Sequence, residues 1–339
     1  MLYYLVMRHA GKLFWGLVAA AFLLAGVWFY NVVRENRIRA QSNIVWGVTF
    51  VKAQARALGL DWKETYRAAL NDLGVRHLRL SAPWDDIEPQ PGIFDWNDLD
   101  WQLREASNAG AKVHLVIGRR TPRWPECHIP EWATKLTEDE QRLRVLAMLT
   151  AVVEHTKVSP AITRWQLENE PLLDAFGECP PGDRGFLKQE IELVRSLDAR
   201  PVATTESGEL STWVRTAPLV SVLGISLYRV TWSRFWGNFY YPLTPTYYRN
   251  KADAVSLLGP TVIITELQAE PWGPRPLPEM SVADQYRSMD PARVRANIEF
   301  ARRVGLGEVY LWGVEWWYWL RQNNRPEIWN DVKTLWHTR

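Results

Sequence analysis

Residues 162–171 read ITRWQLENEP. The β-branched and aromatic content of Ile162 to Leu167 suits a buried strand. The run then meets Glu168, Asn169 and Glu170, and Pro171 ends the pattern. Two carboxylates closing an apolar strand cost desolvation energy unless something there uses them. A second such end follows about a hundred residues on. In TVIITELQAEPWG, 261–273, an apolar run passes into Thr265 and Glu266.

Working outward, short β-rich runs alternate with longer amphipathic stretches. Strands are expected at 44–50, 75–80, 112–118, 162–167, 201–205, 220–227, 261–267 and 308–312. Helices are expected near 61–73, 97–109, 138–157, 184–197, 211–216, 245–258, 282–304 and 326–336. Eight strands, each followed by a helix, imply parallel pairing with right-handed crossovers. About 300 residues in eight such units predict an α/β fold of the (β/α)8 TIM-barrel type. A doubly wound open sheet would carry a Gly-rich phosphate turn after its first strand, and none follows Phe50.

The charge balance, 40 basic against 38 acidic residues, gives no footprint for nucleic acid. The two cysteines, Cys127 and Cys179, form no metal-ligand spacing, so no metal and no cofactor is expected. The 20 tryptophans can fill a core or line a groove, where an indole stacks on the apolar face of a sugar.

Leu13 to Val33, LFWGLVAAAFLLAGVWFYNVV, holds no charge. As a helix these residues span roughly 30 Å, a bilayer core. The run is longer than the apolar region of a cleaved signal peptide, about 7–15 residues. It is therefore read as an uncleaved signal-anchor. The expected order is a short tail over 1–12, a single transmembrane helix over 13–33, a linker over 34–43 and the barrel domain over 44–339. Basic residues flank the span on both sides, Arg8 and Lys12 before it and Arg34, Arg37 and Arg39 after it. The positive-inside rule gives no orientation here.

Active sites of such barrels sit at the C-terminal strand ends. Glu170 ends the fourth expected strand and Glu266 the seventh, so both can face one bound group. Glycosidic bond cleavage needs such a pair, one protonated and one ionised. The second strand, RHLRLSAPW, brings Arg79 towards the mouth, where a guanidinium favours an ionised neighbour. Tyr228 follows the sixth strand as a hydroxyl donor, and Trp312 ends the eighth as a stacking floor. His114 in the third strand and Trp272 in the loop after the seventh complete the candidate substrate-binding residues, with a hydrogen-bonded barrel histidine as the alternative for His114.

At these residues the chain resembles the retaining glycoside hydrolases of clan A, which include families 5, 10, 35, 39 and 42. Their hallmark is Asn-Glu(-Pro) after the fourth strand and Glu at the end of the seventh. Here these are Asn169-Glu170-Pro171 and Glu266. RLSAPWDDIEPQPGIFDW, 79–96, also resembles the second-strand segment of these enzymes. The resemblance covers about residues 44–336. It implies that Glu170 is the general acid/base and Glu266 the nucleophile. It further implies that Asn169 bonds the sugar 2-hydroxyl, that Tyr228 donates to Glu266 and that Trp312 stacks under the central sugar. Glu168 departs from the pattern, since many relatives carry an aromatic or small residue there. The Glu-Asn-Glu triplet is similar to the β-galactosidase-like branch.

Cys127 follows the third strand and Cys179 the fourth, on neighbouring loops of one rim. A disulfide is geometrically possible, as are two unrelated thiols. A bridge would favour an extracytoplasmic domain on a single-pass cell-membrane protein. The expected partners are a carbohydrate substrate and, through 13–33, a lipid bilayer. The expected function is a membrane-anchored retaining glycosidase. A transglycosylase using the same residues and an inactive carbohydrate-binding barrel remain open alternatives.

Overall fold

In the computed structural model the described residues are 41, 43–337 and the isolated positions 15, 16, 18, 22 and 26. The span expected over 13–33 lies almost wholly outside them. Among the described residues no helix is long and apolar enough to cross a membrane.

Eight parallel strands close a barrel. They are β1 (Val45–Phe50), β2 (His77–Ser81), β3 (Lys112–Ile117), β4 (Ile162–Leu167), β5 (Val202–Glu206), β6 (Val222–Leu227), β9 (Thr261–Gln268) and β10 (Glu308–Trp312). β1 pairs with β2 and β10, which completes the circle. Between β6 and β9 the chain adds an antiparallel hairpin, β7 (Val230–Ser233) with β8 (Gly237–Tyr240). An outer ring of helices covers the strands, and its largest members match the expected stretches closely, as at Glu138–Thr156 and Arg184–Leu197.

Two expectations need correction, and one helix was not expected. No helix forms over 211–216; a single 3-10 turn follows instead at Ala217–Leu219, where Pro218 limits its length. The expected helix over 282–304 is two, Val282–Ser288 and Pro291–Val304. Pro291 cannot continue a helix, but it suits the first position of a new one, which Asp290 caps. The helix Val314–Gln322 escaped the sequence pattern. Its VEWWYWLRQ has almost no polar face, and six of its nine residues are buried.

The barrel interior is layered. At the bottom Arg164 pairs with Glu308 in a two-contact ion pair at 3.0 and 3.1 Å. Ala203, Val222, Ile263 and Tyr310 form a small apolar layer. Above it lie Arg79, Gln166, Thr205 and Thr265, all buried. Gly224 on β6 makes room for this upper layer. A Cβ there would meet the Thr265 side chain at 2.5 Å and that of Thr205 at 2.8 Å. Gly224→Ala is therefore expected to destabilise the domain by the ~1–3 kcal/mol typical of overpacking. Urea unfolding of the variant measures it, and an unchanged midpoint would show that the layer yields freely.

Candidate active site

The site begins with two irregularities in the strands. Along β9, Ile225 of β6 pairs with Ile264, but Ser226 pairs with Glu266, so Thr265 is an extra residue. The β10 side shows the same shift between Val309 and Leu311. Strict alternation would turn Glu266 outward, because Ile263 and Thr265 face the interior. The extra residue turns it back into the barrel mouth, as bulges beside functional sites do. At the end of β4, Glu168 and Glu170 both take left-handed φ values, +58° and +47°. For non-glycine residues this conformation costs of order 1 kcal/mol or more and needs support from surrounding structure.

That support comes from Thr205. Its hydroxyl accepts the Glu170 N–H at 2.8 Å and donates to Asn169 Oδ1 at 3.0 Å. Arg79, fully buried on β2, supplies the rest. Its Nε donates to Gln166 at 2.9 Å, Nη2 to Asn169 Oδ1 at 2.7 Å and Nη1 to Glu266 Oε1 at 2.7 Å. Tyr228 donates its hydroxyl to Glu266 Oε2 at 3.1 Å. The Tyr228 backbone is fixed in turn by Glu209, which accepts its N–H at 2.9 Å. Both oxygens of Glu266 are thus acceptors, as suits an ionised carboxylate.

Glu170 has a different environment. Its Oε1 accepts from Ser226 Oγ at 2.9 Å. Burial raises the Glu170 carboxyl well above the usual carboxylate range, and the nearby charges of Glu266 and Glu126 push the same way. Burial also raises the Tyr228 phenol, which remains a donor.

The other expected residues divide. Trp272 stands at the mouth in an aromatic chain, Trp124–Phe176–Trp272–Tyr228, with ring centroids 5.5–5.7 Å apart. Trp312 is at the mouth, but not as an open floor. Arg123 lies over its ring at 4.3 Å and also pairs with Glu270, which accepts from Trp312 Nε1 at 2.9 Å. His114 is a correction. It sits early in β3, edge-on to Tyr310 at 5.8 Å in the barrel interior, with both ring nitrogens unpartnered. Burial and the charges of Arg164 and Arg79 hold it well below the usual histidine range, so it is a neutral core residue. Trp84, Trp316 and Trp317 are core residues as well, fully buried.

Glu168 proves structural. Its carboxylate accepts the backbone N–H groups of Arg119 and Arg120 at 2.8 and 2.6 Å, clamping the β3 loop to β4. A Cβ on Gly118 would lie 2.4 Å from Glu168 Oε1, and Gly118 has φ +128°, so only glycine fits there. Behind the clamp Glu190 is buried, and burial and the facing Glu168 carboxylate raise it well above the usual range. Of the two readings the sequence left open for the cysteines, the structure has the disulfide, joining Cys127 to Cys179 across the same two loops.

The chain is similar to xylanase 10B from Thermotoga maritima, with 16% identity, TM-score 0.55, and coverage of 80% of this chain and 83% of that one. It is similar to GH5_18 from Bifidobacterium longum, at 13% identity, TM-score 0.57, with 80% and 70% covered. A β-galactosidase from Marinomonas ef1 gives 16% identity and TM-score 0.54, with 79% and 54% covered. What these structures share with the chain is the closed eight-stranded (β/α)8 barrel. No protein-family model matches the chain.

Within this barrel, several site groups escaped the sequence reading. Thr205 and Ser226 carry no signal beyond lying on barrel strands. Arg123 and Glu270 lie in loops whose course the sequence does not specify. Glu126 had one usable signal: it precedes Cys127, and the bridge to Cys179 draws that loop against β4.

The Glu190–Glu168 pair gives a stability test. The folded-state value of Glu190 is raised, so its contribution is present at low pH and is lost as pH rises through that value. Glu190→Gln stays neutral and avoids the loss. Its Tm advantage over the wild type is expected to grow with pH, reaching about 2–4 °C at alkaline pH. Parallel Tm curves from pH 5 to 9 would contradict the assignment.

Proposed function

We propose that the protein is a membrane-anchored retaining glycosidase that hydrolyses O-glycosidic bonds of an oligo- or polysaccharide by double displacement. One observation carries this reading: two carboxylates from the ends of β4 and β9 meet at one mouth in opposite electrostatic settings. Glu266 receives Arg79 and Tyr228, whereas Glu170 is buried with its carboxyl raised.

In the first step Glu266 attacks the anomeric carbon and Glu170 gives its proton to the leaving oxygen. A glycosyl-enzyme forms at Glu266. Glu170, now ionised, takes a proton from water, which releases the sugar and restores both carboxyl groups. Asn169 is placed between Arg79, Thr205 and Glu126, and one of its Nδ2 hydrogens remains for the sugar 2-hydroxyl. Trp272 and Trp124 offer aromatic faces for outer sugars.

Among the similar structures, xylanase 10B from Thermotoga petrophila was solved with xylobiose, and GH5_18 carrying E140A was solved with Manb1-4GlcNAc. By analogy a β-linked glycan is the substrate class for this chain. Anchorage through 13–33 rests on that segment's uncharged, bilayer-length sequence. The Cys127–Cys179 bridge supports an oxidising compartment, and hence an extracytoplasmic barrel domain over 44–339.

The test is turnover of an aryl glycoside panel by the barrel-bearing protein. Glu170→Gln is expected to lose about 10²–10⁴-fold on substrates with poor leaving groups and far less on activated ones. Glu266→Gln is expected to lose turnover on both. Unchanged turnover in either variant would overturn the assignment.

A further inference from the structure

Glu126 is buried in the mouth, yet the double displacement uses only two carboxylates. Its Oε2 accepts from Asn169 Nδ2 at 2.9 Å. The nearest cation is Arg120, whose Nε lies 4.0 Å away and has no hydrogen-bond partner of its own. The rest of that guanidinium is committed to the carbonyls of Leu173 and Phe176. A buried carboxylate without a close cation is costly.

The loop nevertheless fixes it there. Glu126 adopts φ +72°, its N–H donates to the Arg123 carbonyl at 2.7 Å and its carbonyl accepts from Thr121 N–H at 2.9 Å. Gly177 presses on its side chain so closely that a Cβ would meet Glu126 Cβ at 2.9 Å. The next residue is bridged to Cys179. Two loops therefore hold this weakly compensated carboxylate beside the catalytic pair.

We propose that Glu126 is a positioning residue for the glycosidase reaction, orienting Asn169 through a buried hydrogen bond and keeping Glu170 supplied with its proton. This rests on the function proposed above. The charged and titratable groups facing Glu170 are Glu266 from β9, Tyr228 after β6, and Glu126 and Arg120 from the β3 loop. Of these, Glu126 and Glu266 favour the protonated acid, and Arg120 opposes them. Glu126 itself faces Glu266, Arg120 and His128, and burial raises it above the usual range. As Glu126 ionises, its charge makes loss of the Glu170 proton harder, which extends the acid's working range towards higher pH.

Glu126→Gln tests this, because a glutamine can still accept from Asn169 while the charge is gone. The basic limb of kcat/KM on a poor leaving group is expected to move to lower pH by about one unit, so that turnover on that limb falls about tenfold. Turnover of a substrate with an activated phenolate, which needs no proton, is expected to change little. A carbon-13 NMR titration of the Glu170 carboxyl, assigned with Glu170→Gln, reads the same shift without substrate. Unchanged limb and titration midpoint in a folded variant would overturn the proposal and leave Glu126 a loop tether. Should the wild type turn over no glycoside, the function fails, while the NMR midpoint still reports whether Glu126 acts on Glu170.

Discussion

The Arg79 guanidinium is fully buried, and its three donor positions end on Gln166, Asn169 and Glu266. Those acceptors come from inside β4, from just beyond β4 and from β9. Burying a guanidinium is costly unless every donor direction is used and an anion lies close. Here the cost is met only when both strand ends arrive in one arrangement. The ion pair therefore works as a registry device: it is satisfied when Glu266 faces inward and Asn169 is turned over the mouth, and it is badly unsatisfied otherwise. The extra residue at Thr265 and the left-handed φ values of Glu168 and Glu170 are the backbone's half of the same arrangement.

Around that fixed point, five glutamates of similar intrinsic acidity take five roles. Glu168 accepts two backbone N–H groups and holds loops together. Glu270 is bound to Arg123 and Trp312. Glu266 receives two side-chain donors, Glu170 receives one hydroxyl and faces the charges of Glu266 and Glu126, and Glu126 receives an amide with the Arg120 cation 4.0 Å away. Environment, not residue type, separates acid from base.

The alternation of strands and helices was legible in the sequence because each strand is a short apolar run and each large helix an amphipathic one. The β4 terminus was legible because ITRWQLENEP breaks so abruptly from apolar to acidic. Other features were not. Glu168 and Glu170 look alike in sequence, and only the turn at β4 sends one to the β3 loop and the other to the mouth. His114 sits on a barrel strand like Arg79, but its shorter side chain leaves it in the interior, whereas the guanidinium reaches the rim. Trp312 ends its strand as expected, yet a loop arginine 189 positions earlier (312 − 123) covers it, a contact no local pattern encodes.

The central claim is that the Arg79-bound carboxylate is the one that attacks. The most direct measurement is mass spectrometry of the protein after incubation with activated 2-deoxy-2-fluoro glycosides, which slow release of a glycosyl-enzyme. A single fluoroglycosyl label on the proteolytic peptide bearing Glu266 is the result predicted. A label on Glu170, Glu126 or Glu270 with Glu266 left bare would contradict it.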